Sequence, residues 1–119
     1  MDTLELVVIT FAALSHLGFL ILEMFFWTRP LGLKIFRQSA TQSKSSAVLA
    51  ANQGLYNGFL VAGLAWSLLQ PDPGFSHQLR IFFLSCVLLA GIYGAISFSR
   101  RLLLVQALPA LIGLVLVLV

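Results

Sequence analysis

The stretch Ala-Asn-Gln-Gly-Leu-Tyr-Asn-Gly-Phe-Leu-Val-Ala-Gly-Leu-Ala-Trp (51–66) decides how the chain is read. It is apolar enough to enter a bilayer, yet it carries Asn52, Gln53, Tyr56 and Asn57 close together. Amides in hydrocarbon are expensive without partners, so a helix bearing them must have neighbours. On a helical wheel these polar residues cover an arc of about 140°. A separate arc holds Ala51, Gly54, Gly58, Ala62 and Ala65, a small-residue ridge of the Gly-x-x-x-Gly kind that lets another helix come close. Gly54, Gly58 and Ala62 are therefore candidate helix-packing positions. Little of this helix is left for lipid, and it is expected to be the hub of a bundle.

Composition points the same way. Of 119 residues, 60% are hydrophobic and 9% charged, where a soluble domain carries about 25% charged residues. The apolar residues come in blocks, as in an integral membrane protein. The net charge of +3 does not indicate nucleic acid. Arg29, Lys34, Arg37 and Lys44 form one basic cluster and Arg100 and Arg101 another, each beside an apolar block, which is the positive-inside signature. The single cysteine, Cys86, excludes an intrachain disulfide and reads as a small core residue. No metal-ligand spacing and no cofactor motif is present.

The expected architecture is all-α: one transmembrane domain over residues 1–119, a four-helix bundle with short loops. The first helix runs from about Leu4 to Trp27. Its acidic start (Asp2, Glu5) and the internal His16 and Glu23 argue for a retained transmembrane helix rather than a cleaved signal. A basic linker, 28–46, follows. Arg29-Pro30 ends the first helix, Leu31 to Arg37 can form a short interfacial helix, and Gln38 to Ser46 reads as loop. The second helix spans about Ala47 to Leu69 and stops at Gln-Pro-Asp-Pro-Gly (70–74), a strong turn signal. The third covers about Gln78 to Phe98 and the fourth about Leu102 to Val119, joined so tightly that they form a hairpin. Both basic connections fall on one side, which is expected to be cytoplasmic, with both termini outside.

Rise per residue then sets depths. Glu23, Asn52, Gln53, Tyr93 and Gln106 fall in the cytoplasmic half of the bilayer, with His16, Tyr56 and Asn57 near its middle, so every helix places polar groups toward the same half. On the first helix, Glu5, Ala12, His16, Glu23 and Trp27 share one narrow stripe. Pro109 cannot donate to the carbonyl of Val105, which frees an acceptor beside Gln106. These residues form the expected polar cluster. Trp27 and Trp66 read as interfacial belt residues, and His77 as a solvated loop residue.

The pattern resembles a small four-helix membrane family catalogued as domain of unknown function 1304. The matching pieces are His16 and Glu23 with Trp27, Asn-Gln-Gly-Leu-Tyr-Asn-Gly-Phe-Leu (52–60), Ala-Gly-Leu-Ala-Trp (62–66), Ala-Gly-Ile-Tyr-Gly (90–94) and Gln-Ala-Leu-Pro-Ala (106–110). The resemblance covers nearly the whole chain. It implies a bacterial four-helix integral membrane protein, placed in the cytoplasmic (inner) membrane, and supplies no activity.

Three functions fit these residues. In the first, the cluster is a pocket for a small lipophilic ligand, with Glu23 and His16 placed for acid/base chemistry of an isomerase, cyclase or epoxide-opening type. Asn52, Gln53, Tyr56, Asn57, Tyr93 and Gln106 would then bind the ligand. In the second, a homodimer formed through the Gly54/Gly58 ridge transports a small molecule or protons, with Glu23 and His16 as a relay. In the third, the protein is a non-catalytic lipid-binding or accessory subunit. Against all three stands a plain structural reading, in which the same groups only hold helices together at roughly 0.6–2 kcal/mol each.

Overall fold

The computed structural model describes residues 1–101 and 103–119. Among the described residues it is all-α, with no strand: α1 Thr3–Phe25, α2 Pro30–Phe36, α3 Ala40–Leu69, α4 Pro73–Ser97, a π-helical turn Leu103–Ala107, and α5 Leu108–Leu118. The expectation of four helices is corrected to five. Leu102, the expected start of the last helix, lies outside the described residues.

The corrections have local causes. α1 opens where Asp2 Oδ1 accepts from the Glu5 amide at 2.7 Å, the usual service of an N-cap aspartate. It closes at Phe25, before Arg29-Pro30. Pro30 instead becomes the first residue of α2, where a missing N–H leaves nothing unsatisfied. α2 ends as Arg37 turns left-handed (φ 53°, ψ 47°) and its amide donates to Leu33 O.

α3 begins at Ala40 rather than Ala47. Ser39 and Gln42 make a capping box: Ser39 Oγ accepts from Gln42 N and Gln42 Oε1 accepts from Ser39 N, both at 3.1 Å. That exchange satisfies two amides at the helix start. The serines that follow stay helical because Ser45 and Ser46 donate back to Gln42 O at 2.9 and 2.8 Å, a local bond helices tolerate. α4 likewise begins at Pro73 rather than Gln78, because Asp72 Oδ1 caps Phe75 N at 2.6 Å and Pro73 fills the first turn.

The chain folds as two compact units, residues 1–15 with 60–119, and residues 16–59. In the first, α1, α3, α4 and α5 contribute Ile9, Ala12, Leu64, Leu84, Val87, Ala110, Leu114 and Val117 to one buried core. Ser76 Oγ donates to Ser67 O at 2.7 Å, tying the start of α4 to the end of α3. Gly91 admits the π turn: a Cβ there would lie 2.6 Å from Ala107 N and 2.9 Å from its Cα. The wide turn directly precedes the Leu108-Pro109 step, where Pro109 removes an amide donor.

In the second unit, Trp27 joins the end of α1 to the start of α3. Its Nε1 donates to Ser43 O and Ser46 Oγ, both at 3.1 Å, while buried Ser43 returns a bond to Trp27 O at 2.6 Å. Its ring packs on Phe36 at 4.7 Å. α1 and α4 are each long and apolar enough to cross a membrane. α3 is longer, but its polar residues leave it outside that class.

Candidate functional site

His16 and Glu23 are seven residues apart on α1, two turns on one face. That separation, about 10 Å along the axis, is too long for direct contact. Asn57, from α3, fills it. Its Oδ1 lies 2.8 Å from His16 Nδ1, and its Nδ2 donates to Glu23 Oε1 at 2.8 Å. The three side chains form one hydrogen-bonded line, with His16, Glu23 and Asn57 at 1%, 5% and 8% exposure. The imidazole also meets Phe19 edge-on at 5.9 Å.

Glycines make the approach of α3 to α1 close enough. A Cβ on Gly54 would meet Met24 Cγ at 2.7 Å and Glu23 Cβ at 3.2 Å, and one on Gly58 would meet Leu20 Cδ1 at 2.9 Å. At Gly54 and Gly58 the small-residue ridge therefore packs against α1 of the same chain. Ala62, also expected to pack, is exposed.

The structure thus joins His16, Glu23 and Asn57. It leaves Asn52, Gln53 and Tyr56 exposed on α3, Tyr56 stacking edge-on with Phe59 at 5.7 Å. In the other unit, Tyr93 is 74% exposed and Gln106 half-buried. One end of the line is unfinished. His16 Nε2 is fully buried and has no hydrogen-bond partner among the described residues. Buried side-chain nitrogens are nearly always paired, so an unpaired one asks for a cause.

A second buried polar pair lies in the first unit. Arg80 Nη1 donates to Glu5 Oε1, with side chains 8% and 7% exposed, and Arg80 Nε donates to Ser76 O at 3.3 Å. Glu5 stood on the His16–Glu23 stripe, which was the available sign that it is buried. Neither side chain has a fully buried atom left without a hydrogen-bond partner among the described residues. No group of three His, Cys, Asp or Glu able to hold a metal occurs among the described residues.

The family model described as protein of unknown function (DUF1304) matches residues 10–118. The chain is 26% identical over 119 residues to the uncharacterized protein YpaA of Lactococcus lactis subsp. lactis (strain IL1403), covering 97% of each. No solved structure matches it.

Proposed function

The chain belongs to the DUF1304 family, and from that footing we propose that it is a multi-pass protein of the cytoplasmic membrane that binds a small lipophilic ligand at His16 Nε2. The membrane reading rests on where the apolar surface lies. The most apolar stretches of α1 and α4 are only 22% and 28% buried, whereas the core helix of a soluble protein is covered. Leu4, Val7, Phe11, Leu14 and Ile21 of α1 are all exposed. A surface of that kind belongs in lipid or against a partner. Arg29, Lys34, Arg37 and Lys44, with Arg100 and Arg101, then lie on the cytoplasmic side and both termini outside.

The ligand reading is carried by one observation, the unpaired and fully buried Nε2. A buried polar group without a partner costs about 1–3 kcal/mol. The protein has spent two further side chains on holding this imidazole still, Asn57 directly and Glu23 through Asn57. An oriented ring with one free nitrogen is the arrangement of a binding group or a base. Acid/base chemistry on the bound ligand therefore falls within the reading, with His16 as the group that touches it. A proton relay does not, because a carboxamide does not titrate and Asn57 stands between the two ionisable groups.

The test is extraction. Protein purified in mild detergent is extracted with organic solvent, and wild type is compared by mass spectrometry with His16→Leu. A lipophilic compound present in wild type and lost from a folded His16→Leu protein supports the reading. Identical extracts from both overturn it.

A further inference from the structure

We infer that the ligand presents a hydroxyl to His16 Nε2, and that the site discriminates against a carbonyl or ether at the same position. The inference rests on the ligand reading above and follows from the direction of each hydrogen bond in the line. A carboxylate only accepts, so the amide face turned to Glu23 is the NH2 face, and Asn57 Nδ2 donates to Oε1 at 2.8 Å. That fixes the other face. Asn57 Oδ1 is turned to His16 Nδ1 at 2.8 Å, and a carbonyl oxygen can only accept, so Nδ1 carries the hydrogen. A neutral imidazole has one N–H. Nε2 is then a bare lone pair, 1% exposed as part of its residue and unpaired among the described residues.

A lone pair takes a donor. A carbonyl or an ether offers a second lone pair and no hydrogen. An ammonium offers hydrogens but brings a desolvated charge, and the nearest carboxylate, Glu23, lies on the far side of Asn57. A neutral hydroxyl completes the line, giving ligand O–H to Nε2, Nδ1–H to Oδ1, and Nδ2–H to Oε1. The reverse polarity is a distinct and recognisable state. It requires Glu23 to carry a proton and donate to Oδ1, Nδ2 to donate to a bare Nδ1, and Nε2 to bear the hydrogen. That state would call for an acceptor on the ligand, such as a carbonyl or an ether.

The two polarities differ in which ring nitrogen is protonated, and nitrogen NMR reads this directly. Histidine-15N-labelled full-length protein, carrying His77→Gln at an exposed position so that one imidazole remains, is measured in lipid nanodiscs. Nδ1 in the protonated range and Nε2 in the unprotonated range are expected. A proton on Nε2, alone or with one on Nδ1, overturns the inference. This measurement alters nothing in the line itself, so a misfolded variant cannot obscure it. The organic extract is then treated with a silylating reagent that tags free hydroxyls. The compound enriched in wild type over His16→Leu is expected to take the tag and to be enriched at least about tenfold, the worth of one buried hydrogen bond. An enriched compound that takes no tag overturns the hydroxyl assignment while leaving ligand binding standing. An extract with no enriched compound removes the binding reading, and this inference with it, whichever nitrogen is protonated.

Discussion

Replacing Asn57 by leucine keeps the side-chain volume close to native and deletes both hydrogen bonds of the line at once. Two estimates bracket the loss. Hydrogen bonds between helices in a bilayer average about 0.6 kcal/mol and reach about 1.7, so the pair supplies about 1–3 kcal/mol. Counted from the other end, His16 Nδ1 and Glu23 Oε1 are each stranded, and a stranded buried polar group costs about 1–3 kcal/mol. These describe the same event and are not summed. The burial of His16 and Glu23, at 1% and 5% exposure, favours the upper end. Asn57→Leu should therefore lose about 3 kcal/mol, more than a hundredfold in the folding equilibrium at about 1.4 kcal/mol per tenfold. The triple variant His16→Phe, Asn57→Leu, Glu23→Met removes all three polar groups together and should recover most of that loss, since an apolar replacement of a whole buried network is often close to neutral. Reversible SDS unfolding in mixed micelles, followed by far-ultraviolet circular dichroism, measures both. An Asn57→Leu protein within roughly 0.5 kcal/mol of wild type, the range of an ordinary surface change, or a triple variant as unstable as the single one, would refute a stabilising role for the line.

Gly91→Ala should destabilise by about 1–3 kcal/mol, because the new Cβ meets the Ala107 backbone at 2.6 and 2.9 Å, where nothing can rotate away. Gly18→Ala, with nothing within 4 Å, should be neutral or gain up to about 1 kcal/mol of helix propensity; melting temperatures in the opposite order would contradict both. Arg80→Leu should lose about 3–5 kcal/mol by stranding Glu5, and Glu5→Leu with Arg80→Leu should regain most of it, as read by a double-mutant cycle. Ser43→Ala removes the bond to Trp27 O and should lower stability by about 1 kcal/mol. Trp27 emission, followed in a Trp66→Phe background, should shift to the red, and an unmoved spectrum counts against the anchoring role of Ser43.

Periodicity within one helix carried reliable information, and relations between helices carried less. Of the stripe Glu5, Ala12, His16, Glu23 and Trp27, the first four are buried, and Trp27, beyond the end of α1, is partly exposed. The depth argument was weaker because depth gives a level along the helix and no azimuth. Depth set a level for Tyr93, and within its own unit Tyr93 is 74% exposed. The starting points were also displaced, since Ser39 with Gln42 opens α3 at Ala40 and Asp72-Pro73 opens α4 at Pro73. Both are capping signatures visible in the sequence. The partner of Glu5 was not visible, because nothing local couples a residue of α1 to Arg80 of α4.

The same wheel that groups the four polar residues on one arc also explains why Asn57 is the one that meets α1. With Gly54 against α1, positions on α3 are ordered by their angle from it at 100° per residue. Asn57 stands about 60° away, Gln53 about 100°, and Asn52 and Tyr56 about 160°. Gly54 therefore selects one amide from the polar arc and turns the others outward, as their burial shows. The chemical type at that position is equally constrained. The group between a carboxylate and an Nδ1–H must donate on one side and accept on the other, and must reach both from one Cα. A carboxylate at position 57 could only accept, and would face Glu23 as a like charge. A hydroxyl has the right polarity but too little reach for a gap of about two turns. A carboxamide meets both conditions, and in meeting them it fixes which nitrogen of His16 is left bare. The glycine that sets the helix distance and the amide that sets the tautomer lie one turn apart on α3, so the packing of α3 against α1 is also what orients the one buried nitrogen the fold leaves unpaired among the described residues.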